Sequence, residues 1–154
     1  MGGKVINMSQ NIFNKICKIC GGKCCKCYYI FLTKRELGLL LKLDVKIKYQ
    51  KKGAGFLMES FKDCKFLDNR TGCKLPGRLK PFDCNLYPLA FIYKNKKLNF
   101  YLIKECVYYK KISRSGLREM KACARRGLNA WTEKEKITYS RLIEDYPKKH
   151  LLKI

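Results

Sequence analysis

Cysteine constrains this chain more than any other residue: ten stand among 154 positions, beside a single histidine, His150. Five of the ten fall in the run CKICGGKCCKC, at Cys17, Cys20, Cys24, Cys25 and Cys27. Thiols at that density cross-link, ligate metal or catalyse. Spacings of two or three residues bring several sulfurs round a tight turn onto one cation at about 2.3 Å, and Gly21 and Gly22 let the backbone bend around it. With one imidazole in the chain, any such site is built from sulfur. The plainer alternative, small buried cysteines acting as hydrophobes, suits an isolated residue such as Cys123 but not a run of five. Adjacent Cys24 and Cys25 add a restriction, because neighbouring side chains diverge on a strand or helix and rarely share one tetrahedral ion. Either they serve two metals or a cluster, or one of them is structural.

The opening residues MGGKVINMSQNIFNKICKIC hold no apolar run long enough for a signal-peptide core. No later stretch approaches the roughly 20 apolar residues of a membrane span. The expectation is a cytoplasmic chain without a membrane segment, whose thiolates stay reduced or metal-bound, with disulfides the lesser reading. Ile6 stands where an N-terminal acylation motif wants Ser or Thr.

The formal charge of +23 would attract nucleic acid or other anionic surfaces. Lysine is nevertheless spread along the whole chain beside Glu, Ile and Tyr, as on the surface of a thermophile's protein. Ligating thiolates are deprotonated and cancel part of the charge. Nucleic acid is therefore a partner class considered and not favoured, and Tyr28, Tyr29, Tyr93, Tyr108 and Tyr109 read first as anchors of a small core rather than stacking platforms.

The length fits one domain spanning residues 1–154. Thr33 with Glu36 forms a capping box, and Leu37, Leu40 and Leu41 recur at helical spacing up to about Leu43. Val45, Ile47 and Tyr49 alternate with lysines, and Gly53-Ala54-Gly55 turns the chain into GFLMESF, which predicts a hairpin. From Lys62 to Tyr87 the chain reads as loops organised by something other than a core. LAFIY and LNFYLI flank Lys94-Asn95-Lys96-Lys97, a second hairpin, with Cys106 after it. One tail helix spans about Arg114 to Arg126 and ends at Gly127. Another runs from Thr132, capped with Glu135, to about Tyr146 before Pro147, and the pair packs on the small sheet. The fold class is α+β: short β-hairpins, a loop-rich cysteine site and C-terminal helices.

Four pieces, CGGKCC, IFLTKRE, CKFLDNRTGC and LKPFDCNLYP, follow one another between Cys20 and Pro88. In that order they resemble the cysteine-cluster family known as CxxCxxCC, named for zinc or iron chelation, which includes flagellin lysine methylases and many prokaryotic proteins. The matching positions are Cys20, Cys24 and Cys25, then Cys64, then Cys73, then Cys84 between Lys80-Pro81 and Tyr87-Pro88. Two departures stand out. Three residues separate Cys20 from Cys24 where the family has two, which leaves the partners of Cys17 and Cys27 open, and Lys80 takes the place of a commoner Arg. The resemblance implies a family-like core over 17–106 with metal ligands at Cys20, Cys24, Cys25, Cys64, Cys73 and Cys84; cysteine clustering adds Cys17, Cys27 and Cys106 as candidate ligands, and the helical tail covers 114–146. The C-x3-C-x2-C spacing of Cys20, Cys24 and Cys27 also coincides with that of radical S-adenosylmethionine enzymes, but those are larger barrels with an aromatic residue where this chain has Lys26.

Spacing does not separate zinc from an iron–sulfur cluster, since both accept four thiolates. The adjacent pair and the resemblance favour iron–sulfur, of the 4Fe-4S class, with zinc as the alternative. The expected function is redox or metal handling. One alternative, a component of a protein (lysine) methylation enzyme, rests on relatives alone: no G-x-G-x-x-G opens a helix, and no Cys–His arrangement organises a nucleophile. The other is a zinc-stabilised nucleic-acid-binding module. Whether the chain is an enzyme stays open at this stage, as does any redox or protein partner.

Overall fold

A computed structural model describes residues 29–43, 46–59, 64–68 and 70–154. The expectations placed on Cys17, Cys20, Cys24, Cys25, Cys27 and Val45 lie outside the described residues. The chain runs through β1 (Tyr29–Leu32), α1 (Lys34–Leu41), β2 (Tyr49–Lys52), β3 (Gly55–Glu59), β4 (Leu67–Asp68), β5 (Gly72–Cys73) and α2 (Phe82–Leu86). It continues through β6 (Leu89–Lys94), β7 (Lys97–Ile103), α3 (Arg114–Leu128), α4 (Glu133–Glu144) and β8 (Leu151–Lys153). The strands form small antiparallel sheets ordered β1-β3-β2, β4-β5 and β6-β7-β8, so the α+β class holds. Among the described residues no helix is long and apolar enough to cross a membrane.

Both capping boxes form. In α1 the Thr33 N–H donates to Glu36 Oε2 at 2.8 Å and the Glu36 N–H to Thr33 Oγ1 at 3.3 Å. In α4 the Thr132 and Glu135 pair repeats this at 2.7 and 3.2 Å. The second hairpin closes on two residues, Asn95 and Lys96, with φ of 53° and 58°, the left-handed pair that matches strand twist. The first turns at Gly53, φ 55°.

β1 joins two cores. Side chains alternate across a strand, so Phe31 enters a large cluster with Leu57, Leu89, Phe91, Phe100, Trp131 and Tyr139. Ile30 and Leu32 point the other way, into a smaller cluster with Leu37, Leu40, Met58 and Phe66. α4 lies against β6, where the Tyr93 N–H donates to Ser140 Oγ at 2.7 Å, and α3 contributes Met120, Ala124 and Leu128 to the large cluster.

Three expectations need correction. The span from Lys62 to Tyr87 holds the β4–β5 ribbon and α2 as well as loops, because Phe66, Leu86 and the half-buried Leu75 pack into the two clusters. Among the described residues, the strand expected at Ile47 and Tyr49 begins at Tyr49 and continues through exposed Lys52, since its order comes from pairing with β3. The first tail helix does not stop at Gly127 but runs to Leu128, with Asn129 as its cap. Gly127 is needed there because a Cβ would overlap the Phe82 ring, meeting Cδ2 at 2.8 Å.

Gly127→Ala should therefore invert the usual helix rule. In an open helix the change stabilises by about 1 kcal/mol, whereas here overpacking should destabilise by about 1–3 kcal/mol, read by urea or thermal unfolding.

Candidate metal centre

The thiols of Cys64, Cys73 and Cys84 come from three segments and meet one cluster. Cys64 leads into β4, and its carbonyl accepts the Leu67 N–H at 2.8 Å. Cys73 lies on β5, paired with Leu67. Cys84 is the middle residue of α2. All three are half-buried against the smaller core of Ile30, Leu32, Leu37, Leu40, Met58 and Phe66.

The turn carrying Cys84 is held from both sides. α2 has five residues and no side-chain cap, so on its own it is marginal. The Phe82 N–H at its start donates to Glu36 Oε1 at 2.7 Å, and Glu36 Oε2 serves the α1 cap, so one carboxylate ties two segments. Asp83 Oδ2 accepts the Phe31 N–H of β1 at 2.9 Å. The Tyr139 hydroxyl of α4 donates to the same carboxyl. Burial pushes Asp83 up to about 6, against the pull of the Phe31 N–H and the Tyr139 hydroxyl, with the Glu36 charge adding to the rise. Burial and the Asp83 charge push Tyr139 well above its ordinary range. Pro81 and Pro88, both fully buried, bracket the turn.

Cys106 follows β7 and is half-buried, its N–H on the Ile103 carbonyl at 3.2 Å. The Ile103 N–H donates to the Pro88 carbonyl at 2.8 Å, which brings the end of β7 alongside the chain leaving Cys84. Cys123 stands apart on α3, where its sulfur accepts from Arg126 Nη2 at 2.9 Å. His150 is not idle in its lysine-rich tail: its Nδ1 lies 3.3 Å from Glu105 Oε1.

Sequence reasoning marked the thiols and missed what positions them. Local sequence marks Glu36 as a cap alone and gives Asp83 no role, because their partners lie 46 and 52 residues away. The one signal for them is their place inside the family-like pieces IFLTKRE and LKPFDCNLYP. Tyr139 carried no signal.

Thiolate is a suitable donor for zinc or iron, and three such donors on one apolar cluster fit a metal held in partly excluded solvent. Among the described residues, no three His, Cys, Asp or Glu side chains stand close enough to hold an ion by themselves.

No curated protein and no solved structure matches the chain. A family model, CxxCxxCC, described as "putative zinc- or iron-chelating domain", matches residues 16–107. That span holds Cys64, Cys73, Cys84 and Cys106, together with Glu36 and Asp83, and it leaves out Cys123. With well over half of its length matched, the chain belongs to the CxxCxxCC family of zinc- or iron-chelating domains.

Proposed function

We propose that this chain holds an iron–sulfur cluster on thiolates drawn from Cys20, Cys24, Cys25, Cys64, Cys73 and Cys84, with Cys17, Cys27 and Cys106 as further candidate donors. It works in electron transfer or metal handling, as one domain in a reducing, cytoplasmic setting where such thiols persist. The observation that carries this reading is the arrival of Cys64, Cys73 and Cys84 on one small core.

Chain connectivity supports completing the donor set from the early run. Cys27 precedes Phe31 by four residues, at most about 14 Å of extended chain. Phe31 is hydrogen-bonded to Asp83, the neighbour of Cys84. The early thiols are therefore tethered to the strand that is fastened to the Cys84 turn.

Iron–sulfur is preferred to zinc because the chain offers nine candidate thiols, two of them adjacent. A structural zinc uses four ligands and its tetrahedron does not favour neighbours, whereas a cluster spreads its irons over a larger volume. The apolar side chains of Met58, Phe66 and Leu75 beside the sulfurs would limit water and set the potential of a bound cluster.

Anaerobically purified full-length protein should be brown, bleach with dithionite, and contain iron with acid-labile sulfide. Colourless protein with stoichiometric zinc would overturn the iron–sulfur assignment while leaving the thiolate site in place.

A further inference from the structure

Arginine is scarce in this chain, eight residues against twenty-seven lysines, yet four of the eight, Arg114, Arg118, Arg125 and Arg126, stand on α3. At 3.6 residues per turn, Arg114, Arg118, Lys121 and Arg125 recur along one stripe about 60° wide and about 16 Å long. Arg114, Arg118 and Arg125 are exposed and Lys121 is half-exposed, while Met120, Ala124 and Leu128 bury the inner face. Among the described residues none of the four forms an ion pair. The Arg125 guanidinium lies 5.1 Å from the Phe100 ring centroid, which steadies one end of the stripe. Exposed Lys110 and Lys111 extend the charge just before the helix.

An ordinary solvated helix face mixes signs, as α4 does with exposed Glu133, Arg141 and Glu144. On α3 the like charges fall at i+3 and i+4, where they repel, and Glu119, the helix's one carboxylate, lies off the stripe. A local rule broken with no gain to the fold points to a bound anion.

We propose that the α3 stripe is a binding surface for the phosphate backbone of nucleic acid. Its arginines present planar forks that match phosphate oxygens in pairs. With phosphates of one strand rising about 3.4 Å apiece, the stripe faces about five of them. A lipid surface fits less well, because an interfacial helix must lay its apolar face in the membrane and that of α3 is already in the core. The stripe lies outside the family-matched segment, so this site is independent of the metal centre.

The test is anisotropy of labelled random-sequence duplex DNA and single-stranded RNA with full-length, metal-loaded protein across a salt series. Two charge-matched triples are compared: Arg114→Gln/Arg118→Gln/Lys121→Gln, and Lys48→Gln/Lys51→Gln/Lys52→Gln on and beside exposed β2. Arg125 is left in place because of its ring contact. The α3 triple should weaken binding at least about tenfold and reduce the slope of log affinity against log salt by about 2–3, near 0.9 per lost contact. The β2 triple should move neither by more than a fraction of that, and both should keep their metal and helicity. No binding at low salt, equal losses from both triples, or binding to phosphatidylserine vesicles but not to nucleic acid would overturn the proposal.

Discussion

Cys84→Ser should leave the purified protein with little of its iron or zinc, while Cys123→Ser should retain a full complement. Serine keeps the size of the side chain but replaces a soft, readily ionised donor by a hydroxyl that stays protonated near neutral pH. Structural metal sites bind with about 10–16 kcal/mol shared among four ligands, so one lost thiolate removes about 3 kcal/mol, roughly a hundredfold in affinity. Cys64→Ser and Cys73→Ser should behave alike, since these thiols rest on the same small core. Cys123 lies on α3, outside the family-matched segment, with its sulfur engaged by Arg126. Metal content by mass spectrometry and affinity by chelator competition decide the matter; equal metal in the Cys84 and Cys123 variants would mean that the donor set is misassigned. Because a metal on Cys64, Cys73 and Cys84 would also tie three segments together, chelation of the wild-type protein should loosen the core around Met58 and Phe66.

What could be read in advance was local. The two capping boxes declare themselves by residues three apart, and the second hairpin by a polar turn between apolar runs. The cysteine types were legible for the same reason, as spacing within short runs. β1 was not, because YIFL buries both faces, with Phe31 in one core and Ile30 and Leu32 in the other, so it lacks the alternation that marks a half-buried strand. β4 and β5 have two residues each, too few to show a period. Gly127 misled because a glycine near a helix end is ordinarily a cap, whereas here a distant ring, Phe82, requires it. The clamp on Cys84 was hidden because Glu36, Asp83 and Tyr139 meet only after the chain has folded across three elements.

Trp131→Ala should be the most damaging single change in the large core, and its effect should reach the metal. Trp131, the chain's one tryptophan, is 6 % exposed and lies with ring centroids 5.1 Å from Phe31, 5.4 Å from Phe82, 6.0 Å from Phe91 and 5.7 Å from Tyr139. Truncating a buried tryptophan costs about 3–5 kcal/mol, against a total stability of about 5–15 kcal/mol, so the melting temperature should fall by about 10 °C. Three of its four ring neighbours also define the Cys84 turn: Phe31 donates its N–H to Asp83, Phe82 donates its N–H to Glu36, and the Tyr139 hydroxyl donates to Asp83. A cavity at Trp131 removes the surface on which those rings rest, and the turn loses its alignment as well as its stability. Ile143→Ala, in α4 of the same core, supplies the comparison, since it creates a cavity costing about 2–5 kcal/mol in a residue with no part in that clamp. Well below both melting temperatures, Trp131→Ala should release metal to a chelator faster than Ile143→Ala, and Trp131→Phe should recover much of the difference. If both alanine variants release metal in proportion to their lost stability, Trp131 supports the fold alone and the alignment of Cys84 is set by Glu36 and Asp83 without it.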